Sequence, residues 1–80
     1  METTSQKREF KPTKKDLKLG RKIYHLRRRA GLTQEKLAEK TGLSAPYIGQ
    51  IEIGKRQPTL NTLKKIASAI GLKVKELLPY

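Results

Sequence analysis

The sequence predicts an all-α domain of about five short helices. Three observations point there. Apolar residues recur at steps of three and four rather than two. The recurring segments start at Ser or Thr and stop at Gly. No run of alternating β-branched residues appears. The 80 residues form one small domain, and a chain of that length must close its core with compact, regular elements.

The elements follow in order. Met1 to Lys11 is polar and lacks periodicity, and residues 1–15 are expected to form a flexible basic arm, with the domain proper over residues 16–80. Thr13 with Asp16 three residues on has the form of a capping box, so a first helix starts there or at Asp16. Leu19, Ile23, Leu26 and Ala30 give it one apolar stripe, and Gly31 ends it after the Arg27-Arg28-Arg29 run. Thr33 caps a second helix with Leu37, Ala38 and Thr41 inward, and Gly42 ends that one. Ser44 caps a third, with Pro46 in its first turn, Ile48 and Ile51 inward and Gly54 at its end. After a basic loop, Lys55-Arg56-Gln57-Pro58, Thr59 caps a fourth helix with Leu60, Leu63, Ile66, Ala67 and Ile70 on one face. Gly71 closes it, and Val74, Leu77 and Leu78 predict a short fifth helix before Pro79.

Composition narrows the chemistry. With no cysteine, no disulfide or thiolate metal site is available, which fits a reducing cytoplasm. No apolar stretch approaches the ~20 residues of a membrane span, and the N-terminus lacks the apolar run of a secretory signal. Nineteen Lys and Arg against seven Asp and Glu leave a net charge of +12. Residues 1–30 alone hold eleven basic and three acidic side chains. Such an excess points to a polyanionic partner, nucleic acid before an anionic membrane surface; the alternative is a Lys-rich solvated surface. The single histidine, His25, reads as a surface residue. With no carboxylate pair, activated nucleophile, phosphate loop or ligand cluster beside it, neither catalysis, a metal nor a cofactor is expected.

The sharpest local signal is the spacing of Ala38, Gly42 and Ile48, four and then six residues apart. A small residue permits a close helix crossing, a glycine permits a sharp turn with positive φ, and an apolar plug packs back on the preceding helix. That spacing sets two helices at a steep angle and leaves the second protruding.

Together with Leu26-Arg27, Gly31-Leu32-Thr33-Gln34, Leu37-Ala38, Gly42-Leu43-Ser44, Tyr47-Ile48, Ile51-Glu52, Gly54-Lys55-Arg56, Pro58, Leu63, Ile66-Ala67 and Leu77-Leu78, this spacing resembles the Cro/C1-type helix-turn-helix family, also called the XRE family. The resemblance runs from Leu19 to Leu78. It implies a lambda-repressor-like DNA-binding domain, with helix 44–54 read into the major groove of double-stranded DNA. It implies that Gln34 and Lys55 grip DNA phosphates, with Thr33 and Arg56 beside them, and that Arg27 and Glu52 form a structural ion pair. It places Ser44, Ala45, Pro46, Tyr47, Gly49 and Gln50 at the base-reading positions. Of these Gln50 is the best direct reader, because a carboxamide pairs bidentately with adenine, and Ser44 reaches a base or a phosphate. Ala45 and Pro46 offer only thymine-methyl contacts, so modest base specificity is expected. Tyr47 either touches the DNA backbone or packs half-buried. Gly49 either permits close approach to DNA or is a tolerated loss at an exposed site.

A regulator of this kind is expected to pair as a homodimer on paired half-sites, through Leu72, Val74, Leu77, Leu78 and Tyr80, unless those residues close the core instead. Neither a membrane nor a small-molecule ligand is indicated. The competing reading is a protein-interaction adaptor, such as an antitoxin or coactivator-like module, with DNA binding secondary.

Overall fold

The computed structural model describes residues 12–80. The expected basic arm therefore lies, through Lys11, outside the described residues. Five helices follow: α1 Lys14–Arg29, α2 Gln34–Thr41, α3 Ala45–Glu52, α4 Leu60–Ala69 and α5 Val74–Leu77. No strand occurs among the described residues. α1 begins at Lys14, so Lys14 and Lys15 sit in its first turn rather than in a tail.

Local chemistry sets the helix starts. The hydroxyls of Thr13, Thr33, Ser44 and Thr59 accept from the backbone N–H of Asp16, Lys36, Tyr47 and Thr62 at 3.0–3.2 Å. Each such cap contributes about 1 kcal/mol. At Thr13 the box is complete, because the Asp16 carboxylate accepts the Thr13 N–H at 3.0 Å. Gln57 also donates to Asp16 at 3.0 Å, tying the loop before α4 to the start of α1. The Thr13 backbone hydrogen bond, helped by the Thr13 hydroxyl and Gln57 and opposed by desolvation, holds the Asp16 carboxyl below its usual 3.8. A carboxyl with a lowered folded pKa stabilises above its unfolded value and loses that contribution as pH falls through the lower folded value. The first turn of α1 is thus expected to fray only below the ordinary aspartate range. An NMR titration placing the Asp16 midpoint at or above 3.8 would contradict this.

The core joins all five helices: Leu19 and Ile23 of α1, Leu37 of α2, Ile48 and Ile51 of α3, Leu63, Ile66 and Ala67 of α4, and Leu77 of α5. α3 packs against both α1 and α2, α2 against α4, and α5 against α4 and α1. Two stripe positions depart from the sequence pattern. Ala30 is exposed as the C-cap of α1, and Leu60, at the first turn of α4, is 60% exposed because the helix overhangs the core there. At the C-terminus Leu77 is fully buried, and Leu72, Val74 and Leu78 pack against the core. These four residues help to close the core, and Leu72, Val74 and Leu78 remain only half-buried. Tyr80 stays exposed, with the Lys15 ammonium 5.3 Å from its ring centroid.

The α2–α3 turn is built as the spacing requires. Gly42 takes φ 75°, which an L side chain rarely adopts, and its N–H donates to the Ala38 carbonyl at 2.8 Å. Thr41 donates its hydroxyl to the Leu37 carbonyl at 2.8 Å and accepts the Leu43 N–H at 3.3 Å. Its polar atom is thereby satisfied although the residue is buried.

A close crossing holds α3 from the other side. Gly20 is buried in α1, and a Cβ added there would overlap the Ile51 carbonyl oxygen and lie 2.6 Å from that of Glu52. The α1 backbone therefore rests directly on the C-terminal turn of α3.

Candidate nucleic-acid interface

The site is organised around Glu52. Its carboxylate is buried at the end of α3 and accepts three hydrogen bonds. Arg27 of α1 donates from Nε to Oε2 at 2.6 Å and from Nη2 to Oε1 at 3.2 Å. Gln34, the first residue of α2, donates from Nε2 to Oε1 at 3.0 Å. The remaining Arg27 nitrogen, Nη1, donates to the Leu32 carbonyl at 2.7 Å, in the α1–α2 turn. Three helices and one turn thus meet at a single charge pair. A buried pair of this kind is tolerated because every charged atom is hydrogen-bonded.

Gln34 fits this arrangement through Gly49. A Cβ on Gly49 would lie 3.4–3.7 Å from the carboxamide of Gln34, in ordinary van der Waals contact with it. Gly49 is half-buried. The position therefore lies beside the start of α2 rather than fully on the outer face. The Gln34 carboxamide keeps its oxygen and second N–H beside the first turn of α2, where only the Lys36 N–H is taken up by the Thr33 cap.

The outer face of α3 presents the remaining residues. Ser44, Pro46 and Gln50 are exposed, and Ala45 and Tyr47 are half-buried. Ser44 uses its oxygen as the cap, leaving the hydroxyl hydrogen to donate outward. After α3 the loop folds back: the N–H groups of Lys55 and Arg56 both donate to the Gln50 carbonyl, at 2.8 and 3.3 Å. That places two cationic side chains at the end of the helix opposite Ser44. The Arg56 guanidinium lies 5.5 Å from the Tyr47 ring centroid, while the ring packs in part against the core. Tyr47 therefore supports a cation as well as filling the α3 flank.

The structure thus brings Thr33, Gln34, Ser44, Gln50, Lys55 and Arg56 around one protruding helix. Sequence reasoning missed Gly20, although a glycine beside the buried Leu19 in mid-helix is a signal for a close crossing. It also missed the bond from Gln34 to Glu52. His25 is exposed, its ring edge-on to Tyr24 at 5.2 Å. No group of three metal-ligating side chains occurs among the described residues, and no helix there is long and apolar enough to cross a membrane.

The profile described as "Helix-turn-helix" matches residues 23–77, which holds the whole of this arrangement except the first turns of α1. The chain belongs to the helix-turn-helix family. This helix-turn-helix chain is 41% identical over 59 residues to an uncharacterized HTH-type transcriptional regulator of Sinorhizobium fredii, y4dJ, covering 74% of this chain and 77% of that protein. Several longer curated relatives exist, of which the chain spans 31–48%. Among solved structures it is similar to the restriction-modification controller protein C.AhdI from Aeromonas hydrophila, with TM-score 0.76 and 37% identity over 78% of this chain and 94% of that one. It is also similar to the biofilm master regulator SinR, solved in complex with DNA, with TM-score 0.70 and 28% identity over 74% and 95%.

Proposed function

We propose that this helix-turn-helix protein is a transcriptional regulator that binds double-stranded DNA sequence-specifically, with α3 in the major groove. The observation that carries the reading is a two-sided α3. Its inner residues Ile48, Ile51 and Glu52 are buried, and its outer residues Ser44, Pro46 and Gln50 are exposed between two polar flanks, Thr33 and Gln34 on one side, Lys55 and Arg56 on the other. An α-helix is the right width for the major groove, and flanking amides and cations fix its register on the phosphates. The relatives named as transcriptional regulators and the SinR–DNA complex support the same reading. The charge of this face favours it over a protein-interaction adaptor. In this reading the protein acts by binding in the cytoplasm, without catalysis or cofactor. It pairs as a homodimer on DNA, because one eight-residue helix spans few base pairs.

Selection from a random duplex library, followed by binding of single variants, tests this. A short motif occurring as two half-sites about one helical turn apart is expected. Lys55→Ala should weaken every sequence alike, by about tenfold. Gln50→Ala should instead flatten the preference at one position, losing about 1–3 kcal/mol of discrimination there. Failure to retain duplex DNA would overturn the reading, and a single long, sharply defined motif would overturn the modest specificity.

A further inference from the structure

Most of the positive charge of this chain lies away from α3. The reading helix and its loop present Lys55 and Arg56, two of nineteen Lys and Arg, whereas α1 alone carries eight. Five of those eight, Lys14, Lys15, Lys18, Lys22 and Arg29, fall on one face of α1, with His25 among them. At about 100° per residue, all six stand roughly 120–180° around the helix from Gly20. Gly20 is where α1 rests on the α3 backbone, so this face is turned away from α3. What it borders is the C-terminal segment: Lys18, Lys22 and His25 share a groove with Pro79, and the Lys15 ammonium lies 5.3 Å from the Tyr80 ring centroid.

The ribbon is exposed except at Lys22, which is half-buried. It runs the length of α1, about 22 Å, with a cation roughly every 4–5 Å. A duplex strand carries a negative charge every ~3.4 Å. The ion pairs between described residues, Arg27–Glu52 and Lys36–Glu39, involve none of the five. Asp16, the one acid of α1, is about 40° from Gly20, on the other side, and is tied to Thr13 and Gln57. Glu76 of α5 shares a groove with Lys22 and Arg29, and its carboxylate accepts the Lys73 N–H at 3.3 Å.

The surroundings narrow the occupant. Leu19 and Ile23 are buried in the core, so α1 has no apolar face to insert into a bilayer. A second copy of the ribbon would set like charges against each other. A protein partner needs an apolar anchor at the centre of its interface, and Leu17, the exposed leucine of α1, lies on the α3 side against Gly54. A regular row of phosphates fits what remains.

We propose that the α1 ribbon binds the backbone of a second DNA duplex, without regard to sequence, while α3 occupies the first, so that one molecule bridges two duplexes. The proposal rests on the reading of duplex DNA as the partner of α3.

The test loads the full chain on an immobilised duplex carrying its selected motif and offers a labelled scrambled duplex at about 50 mM salt. The native protein is expected to capture the second duplex. Lys18→Gln with Lys22→Gln and Arg29→Gln should capture about tenfold less while still holding the first. Lys40→Gln with Lys64→Gln and Lys65→Gln removes the same charge from the α2–α4 groove and should capture as the native protein does. Lys14→Glu with Lys18→Glu, at two exposed positions, repeats the loss should the triple ribbon variant melt early. Capture that survives both ribbon variants would overturn the proposal by placing the bridge in paired reading helices. Equal loss in the α2–α4 variant would overturn it by reducing it to general charge. So would a native protein that holds the first duplex and captures polyglutamate but no second duplex, or captures neither. Failure to hold the immobilised duplex would overturn the DNA reading itself and this proposal with it.

Discussion

Arg27→Ala is expected to lower folding stability by about 3–5 kcal/mol, because removing one partner leaves Glu52 charged, buried and held only by the Gln34 amide. It also strips the Leu32 carbonyl of its donor. For a domain of this size each kcal/mol shifts the melting temperature by roughly 4–8 °C. A thermal melt should therefore fall by about 15 °C or more. An unchanged melting temperature would remove the structural role of the pair. A companion variant separates stability from function. Replacing both partners by apolar residues of similar size, Arg27→Met with Glu52→Leu, is expected to recover most of the lost stability. It should not recover DNA affinity, since Gln34 loses its acceptor. Recovery of both would show that Gln34 needs no anchor.

Gly20→Ala should be the second severe change, although alanine is the better helix former by about 1 kcal/mol. The added Cβ meets carbonyl oxygens of Ile51 and Glu52, and backbone cannot turn aside as a side chain can. Either α1 and α3 separate or the end of α3 shifts, at a net cost of about 2–3 kcal/mol. The informative measurement is DNA affinity well below the melting temperature. It should drop even where the variant is fully folded, because α3 moves relative to Gln34 and Lys55. A raised melting temperature with intact binding would mean that propensity outweighs the crossing.

These two variants mark where sequence reading succeeds and stops. The caps, the stripes and the Gly42 turn are local: each residue is read against neighbours within a turn, and all are found where the spacing puts them. The Arg27–Glu52 pair was legible only through family resemblance, since nothing in a sequence separation of 25 makes two opposite charges meet. Its third member, Gln34, was read solely as a phosphate ligand. A side chain's outward role is visible in a motif, whereas its inward bond depends on how two helices are set. Gly20 and Gly49 share that character. Backbone lies hard against Gly20 and the Gln34 side chain touches Gly49, and periodicity names the buried face without naming what covers it. Leu60 shows the converse, a residue in phase with the stripe of α4 but beyond the edge of what the other helices reach.

The division of α3 into a fixed inner side and a free outer side has a consequence for inheritance. Ile48, Ile51 and Glu52 tie the helix to α1 and α2, so substitutions there are purged for instability before any target is tested. Ser44 aside as the cap, the outward positions Pro46 and Gln50 contribute almost nothing to folding. A duplicated copy of this gene can therefore drift at those positions without passing through an unfolded intermediate. Retargeting to a new operator is open to short mutational paths, and laboratory libraries confined to residues 45, 46 and 50 should yield mostly folded proteins.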